Sequence, residues 1–266
     1  MNVKILLLPL LGCLLFFSQT EKPSLYLIGD STVEAASASN AIQGWGGKLS
    51  EYFDGERIRV QNRAVSGISS RTYQTGVVHQ PSMLKNGMWK GVMTELKAGD
   101  FVIMQFGHND ESPVVDTLRM RGTIKGIGND SLVTVNYFTK QPETVKTYGY
   151  YISKLVSDIK SRNAIAIICS PIPKNRWVGG RVIRNDKDYG KWAKEVAETT
   201  GAYFIDLNQL IADEYDRQGK ERVASYFVED KIHTTQTGAA LNASLLISAL
   251  KKIKKNKLKA YLNDKP

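Results

Sequence analysis

Five short apolar runs, at residues 25–28, 58–61, 101–106, 164–169 and 202–205, constrain this chain more than any other feature of it. Each is followed by a loop and then by a stretch with helical periodicity, the pattern of a parallel sheet covered on both faces. The helical stretches expected are 45–53, 89–96, 142–161, 186–199, 207–217 and 237–254. The predicted fold is therefore α/β: a three-layer α/β/α sandwich on a five-stranded parallel sheet, of the flavodoxin-like kind. A chain of 266 residues can bury one substantial core, and neither a repeat nor a long linker divides it. Residues 21–266 are read as a single domain.

Residues 1–20 read as a signal peptide: Lys4 supplies the positive end, residues 5–17 the apolar stretch, and Ser18-Gln19-Thr20 a polar, small-residue exit. The apolar stretch falls short of the roughly 18 residues that span a bilayer, so no integral membrane span is expected. The mature protein is predicted to be exported, to the periplasm or the exterior. Leu10-Leu11-Gly12-Cys13 has the form of a bacterial lipoprotein box, which would make Cys13 a lipidated first residue; the apolar Leu14-Leu15-Phe16-Phe17 after it argues against that reading. Cleavage beyond Cys13 leaves Cys169 without an internal disulfide partner, and its place in an apolar run points to burial.

The net charge is +10, and +9 without Lys4. A basic exported protein attracts anions. Nucleic acid is not expected, because zinc-finger spacing, an RNA-binding aromatic motif and a basic base-reading helix are all missing. An acidic polysaccharide suits the exported compartment. The lysines of 251–259 are read as a solvated helix end, where cations complement the helix dipole.

Ligands of such sheets bind beyond the carboxyl ends of the strands. Ser31 follows the first run, Ser66-Gly67 the second, Gly107-His108-Asn109-Asp110 the third and Arg176-Trp177 the fourth, while Asp230 and His233 precede the last helix. The longest irregular stretch, 111–141, is of a length that carries function or is disordered.

A serine hydroxyl needs a base to take its proton and a carboxylate to hold that base in one tautomer. The chain has three histidines: His79, His108 and His233. Asp230 stands three residues before His233, a spacing that would put both on one face of a helical turn. Acyl transfer also needs donors for an oxyanion; the N–H groups of Ser31 and Gly67 and the Asn109 amide are candidates. His108 has no carboxylate at helical spacing and is read as a pocket wall, a substrate contact or a structural histidine. His79 is read as bland, and Asp30 as fixing its own turn. Arg119, Arg121 and Arg176 are candidate carboxylate or sugar contacts, with Trp177 as a stacking platform. No metal or cofactor is expected.

Gly29-Asp30-Ser31, Gly67, Gly107-His108-Asn109-Asp110 and Asp230-Lys231-Ile232-His233, in this order, resemble the four blocks of the SGNH, or GDSL, hydrolase superfamily. Thr32, Gln43-Gly44-Trp45-Gly46, Phe106, Thr147-Tyr148-Gly149-Tyr150-Tyr151 and Ser170-Pro171-Ile172-Pro173 resemble the rhamnogalacturonan acetylesterases within it, nearer to bacterial members because the mature chain cannot form a disulfide. The resemblance implies the SGNH hydrolase sandwich, Ser31 as nucleophile, His233 as base, Asp230 as orienting carboxylate, and Ser31, Gly67 and Asn109 as oxyanion hole. The expected activity is removal of acetyl groups from an acidic plant cell-wall polysaccharide such as rhamnogalacturonan. The rivals are an esterase for xylan, sialic acid or peptidoglycan acetyl groups, a broad-specificity lipase-like enzyme, and a non-catalytic polysaccharide binder.

Overall fold

The computed structural model describes residues 21–263; the predicted signal peptide, Cys13 included, lies outside the described residues. The five expected strands form one parallel sheet: β1 (Ser24–Gly29), β2 (Arg59–Asn62), β3 (Phe101–Gln105), β6 (Ile165–Cys169) and β9 (Tyr203–Ile205), in the order β2-β1-β3-β6-β9. Two short hairpins stand apart from it: β4 (Ser131–Val135) with β5 (Pro142–Lys146), and β7 (Trp177–Val178) with β8 (Arg181–Val182). The helices are α1 (Gly46–Leu49), α2 (Ser70–Thr75), α3 (Met88–Glu95), α4 (Tyr148–Ser161), α5 (Tyr189–Thr200), α6 (Leu207–Gln218), α7 (Lys220–Ala224) and α8 (Gln236–Lys252).

Alternation along β1 shows how the layers form. Leu25 and Leu27 pack on one face with residues of α1, α6 and α8, whereas Tyr26 and Ile28 pack on the other with α3, α4 and α5. Both sets are buried, as expected of a central parallel strand. The three-layer α/β/α sandwich is thus present as read from the sequence. This strand order switches direction between β1 and β3, which opens a crevice at their carboxyl ends.

Two expected elements differ. The helix expected over 142–161 begins only at Tyr148, where Thr147 Oγ1 accepts the Tyr150 N–H at 3.1 Å. Residues 142–146 instead pair antiparallel with β4 and bury Val145, as β-branched residues on a pleated strand do. The 111–141 stretch is tied to α2 by one buried side chain. Arg71 is fully buried, forks onto Glu143 at 2.8 and 2.6 Å, and donates to the carbonyls of Val114 and Gly122 at 3.0 and 2.9 Å. Asp116 Oδ1 caps the next turn by accepting N–H groups from Leu118, Arg119 and Met120.

Candidate active site

Ser31 leaves β1 on a turn built by its neighbours. Asp30 Oδ1 accepts the Thr32 N–H at 2.8 Å and the Thr32 hydroxyl at 2.7 Å, so Asp30 fixes the turn as expected. Gln105 at the end of β3 donates to Thr32 Oγ1 at 2.6 Å and accepts the Trp45 indole N–H at 2.9 Å. Gly44 lies so close to Val33 and Glu34 that a Cβ would meet their backbone at 2.5–2.7 Å. The Gly44-Trp45-Gly46 segment therefore clamps the chain just past Ser31.

The three residues singled out from 202 positions apart converge. Ser31 Oγ lies 2.7 Å from His233 Nε2, and His233 Nδ1 lies 2.5 Å from Asp230 Oδ2. A carboxylate only accepts, so Nδ1 carries the proton and Nε2 is left to accept from the serine hydroxyl. Burial works to raise the Asp230 carboxyl, but the His233 ring and the N–H groups of His233 and Ile232 outweigh it and hold Asp230 below the usual carboxylate range. The pair does not sit on a helical turn. Asp230 Oδ1 accepts the N–H of Ile232 at 2.8 Å and of His233 at 2.9 Å, and Lys231 takes a positive φ of 62°, so an Asx-type turn brings the ring back over the carboxylate.

Ser31 and His233 share a cavity of about 970 Å³ with Gly67, Asn109, Arg119 and Arg121. Among the described residues the N–H groups of Ser31 and Gly67 donate to no protein acceptor. Gly67 has a φ of +77°, a conformation L side chains rarely adopt, and its carbonyl accepts from Arg121 at 3.0 Å. Asn109 spends one amide hydrogen on the Ile68 carbonyl at 2.8 Å, which keeps the second for a ligand. The three candidate donors thus line one cavity. Glu34 supports them: it accepts the Ser66 N–H at 3.0 Å and the Ser66 hydroxyl, and pairs with Lys85 at 3.0 Å.

Other expectations need correction. His108 lines the cavity, but its ring turns inward between the Ile172 carbonyl and Asp30, so its polar atoms are not substrate contacts. His79 is not bland: it forms part of the cavity wall and stacks on Phe138 at 5.9 Å, with burial and then Arg119 and Arg121 pushing its pKa down. Arg176 and Trp177 stand outside the Ser31 cavity. Gly179-Gly180, both at positive φ, make the two-residue turn of the β7–β8 hairpin, and Trp177 packs against the core, its indole N–H on Asn175 at 2.7 Å, in a separate depression it shares with Asp230. Arg176 lines a smaller cavity of about 160 Å³ that shares His108, Glu111 and Lys174 with the first. Lys174 and Glu111, paired between the loops after β6 and β3, are site residues the sequence reading missed. Cys169 is buried, and burial pushes its thiol up, as its apolar run implied.

Asp110, next to Asn109 in the same loop, is fully buried against Ser70. Burial raises its pKa to about 7, against hydrogen bonds from Ser70 and with the Asp30 charge adding to the rise. A folded-state pKa above the unfolded value favours the neutral form, so the stability it brings is full below about pH 4 and is lost as pH rises through about 7. Asp110→Asn is expected to flatten that loss, as read by melting temperature across pH; an unchanged slope removes Asp110 as its cause.

Among the described residues no group of three or more His, Cys, Asp or Glu could hold a metal, and no helix is long and apolar enough to cross a membrane. The chain is 26% identical over 227 residues to a rhamnogalacturonan acetylesterase of Emericella nidulans, covering 85% of this chain and 84% of the relative. It is 25% identical over 234 residues to the probable rhamnogalacturonan acetylesterase YesY of Bacillus subtilis, covering 86% and 93%. The crystal structure of YxiM from Bacillus subtilis superposes with a TM-score of 0.67 at 23% identity, over 87% of this chain but 56% of that longer one. A family model for GDSL-like lipases and acylhydrolases matches residues 27–241, a span that holds Ser31, Gly67, Asn109, Asp230 and His233, and the chain belongs to that family.

Proposed function

We propose that this protein is an exported serine carbohydrate esterase that removes acetyl groups from an acidic plant cell-wall polysaccharide, rhamnogalacturonan being the substrate its relatives' names point to. The observation that carries the reading is the continuous path of short hydrogen bonds from Ser31 through His233 to Asp230, opening on a cavity. His233 Nε2 takes the hydroxyl proton as Ser31 Oγ attacks the acetyl carbonyl carbon. The oxyanion that forms is met by the N–H groups of Ser31 and Gly67 and the Asn109 amide. Collapse breaks the bond to the sugar oxygen, which leaves with the proton from His233. Water, deprotonated by the same nitrogen, then attacks the acetyl-serine and releases acetate. Asp230 stabilises each imidazolium without itself being protonated. The three side chains and their donors carry out this cycle without a cofactor.

The charge at the mouth supports an anionic substrate. Arg119, Arg121, Lys85 and Lys174 surround the cavity, against Glu111 among its lining residues. The Michaelis constant for pectic oligomers is expected to rise with added salt as this attraction is screened. Salt-independent kinetics would remove charge from the binding argument. Asn109→Ala is expected to lower kcat about 10²-fold through loss of one oxyanion donor; normal turnover would take it out of the oxyanion hole.

Acetate release from acetylated rhamnogalacturonan, xylan and sialic acid, with Ser31→Ala as control, tests the whole reading. Preference for the pectic substrate is the expected result. Release from none, with no labelling of Ser31 by a fluorophosphonate, would leave a polysaccharide-binding protein instead.

A further inference from the structure

Behind the Ser31 turn, a second aspartate–histidine pair lies shut away from solvent. The Asp30 side chain is fully buried and that of His108 is 6% exposed. His108 Nε2 stands 3.0 Å from the Ile172 carbonyl oxygen, which only accepts, so Nε2 carries a proton. The other ring nitrogen, Nδ1, stands 3.4 Å from Asp30 Oδ2. Asp30 Oδ1 is already occupied by Thr32, and neither Oδ2 nor Nδ1 has a hydrogen-bond partner among the described residues. Without a proton between them, two lone pairs would face each other in a low-dielectric interior, an arrangement buried polar groups avoid. One proton on Nδ1 satisfies both atoms and makes the ring a cation.

We propose that His108 is held as a buried imidazolium between Asp30 and the Ile172 carbonyl, and that it is a positioning residue for the Ser31 site. One ring joins three loops: the turn after β1 that bears Ser31, the loop after β3 that bears Asn109, and the loop after β6. The nucleophile and an oxyanion donor are thereby kept in register. The cation has a direction as well. His108 lines the cavity whereas Asp30 does not, so of the two groups the ring stands nearer the space where negative charge develops during acyl transfer.

The remaining charged groups around the pair fit this arrangement. Asp110, on the loop of His108, has its carboxyl raised to about 7 by burial, and the negative charge it gains above that pH favours a cation nearby. Arg121, from the 111–146 segment, is near enough to feel the Asp30 charge. Burial works to raise Asp30, but the His108 charge and hydrogen bond and the Thr32 bonds outweigh it and hold Asp30 below the usual carboxylate range.

The positioning role rests on the Ser31 reading, but the charge state does not, and the experiment separates them. The chain has three histidines, so ring nitrogen signals in ¹⁵N-labelled protein can be assigned with one His→Gln variant for each. In mildly alkaline buffer both His108 nitrogens are expected to report as protonated, while His79 and His233 each show one bare nitrogen. A bare nitrogen on His108 overturns the proposal whatever Ser31 does. Asp30→Asn keeps an oxygen for Thr32 and offers an N–H to Nδ1, which removes the charge and preserves the contact. That variant is expected to lose the imidazolium signature and to lower kcat about tenfold or more with the Michaelis constant unchanged, an electrostatic loss smaller than that of a direct oxyanion donor. Unchanged kcat in a folded Asp30→Asn protein overturns the positioning role. Full activity in Ser31→Ala would instead remove the esterase mechanism and leave the His108 signals as they are.

Discussion

Ser31→Ala is expected to lower kcat for acetate release by about 10³-fold or more while leaving the melting temperature near that of the parent protein, and His233→Ala by a similar factor. The two losses should not add. Each variant interrupts the same proton path from Ser31 Oγ to Asp230 Oδ2, so the double variant should be about as slow as either single one. Ser31 is half-buried on a turn, and its hydroxyl makes no structural bond besides that to His233, so the fold does not depend on it. Near-normal turnover by either single variant, measured on the same acetylated substrate, would remove both from the chemistry.

Arg71→Ala should have the largest effect on stability. The guanidinium is fully buried and holds Glu143 and two carbonyls at once. Removing one partner of a buried pair typically costs about 3–5 kcal/mol, because the other charge is left without compensation. In a domain of this size that corresponds to a fall in melting temperature of roughly 10 °C or more. Arg71→Met with Glu143→Leu should recover most of the loss, since a paired apolar replacement strands no charge. A single variant within about 1 kcal/mol of the parent in denaturant unfolding would show that the pair contributes little. Arg71 anchors the segment that carries Arg119 and Arg121 to the cavity, so the single variant should also bind pectic oligomers more weakly.

What could be read from the sequence was what local pattern encodes. The strands of the central sheet begin and end within a residue or two of the apolar runs, and in β1, β3 and β6 this is because a strand buried on both faces leaves no polar position to blur them. Ser31, Asp230 and His233 were legible because a hydroxyl needs a base and the chain has few histidines. Long-range pairing was not legible. The tie from 111–141 to Arg71, some forty positions earlier, is one that nothing in that stretch announces. Residues 142–146 fall into a helical window because they run into α4, although Thr144 and Val145 favour the strand they form. His108 was judged against carboxylates on its own element, whereas its partner Asp30 lies at the end of a different strand. Trp177 follows the fourth strand as the other site residues follow theirs, but its core packing and its bond to Asn175, which set it outside the Ser31 cavity, leave no local signal.

The main chain of Gln43 and Thr234 is joined across 191 residues: the Gln43 N–H donates to the Thr234 carbonyl at 2.9 Å, and the Thr234 hydroxyl donates to the Gln43 carbonyl. That pair lashes the turn bearing His233 to the segment bearing Trp45. Loop closure over such a span comes late, after the local contacts that precede it in the chain have formed. On the proposed mechanism, then, a growing polypeptide that already carries Ser31 stays chemically inert until the turn bearing His233 has emerged and docked, and a fragment that ends before that turn should be a folded or half-folded bystander with no hydrolytic power.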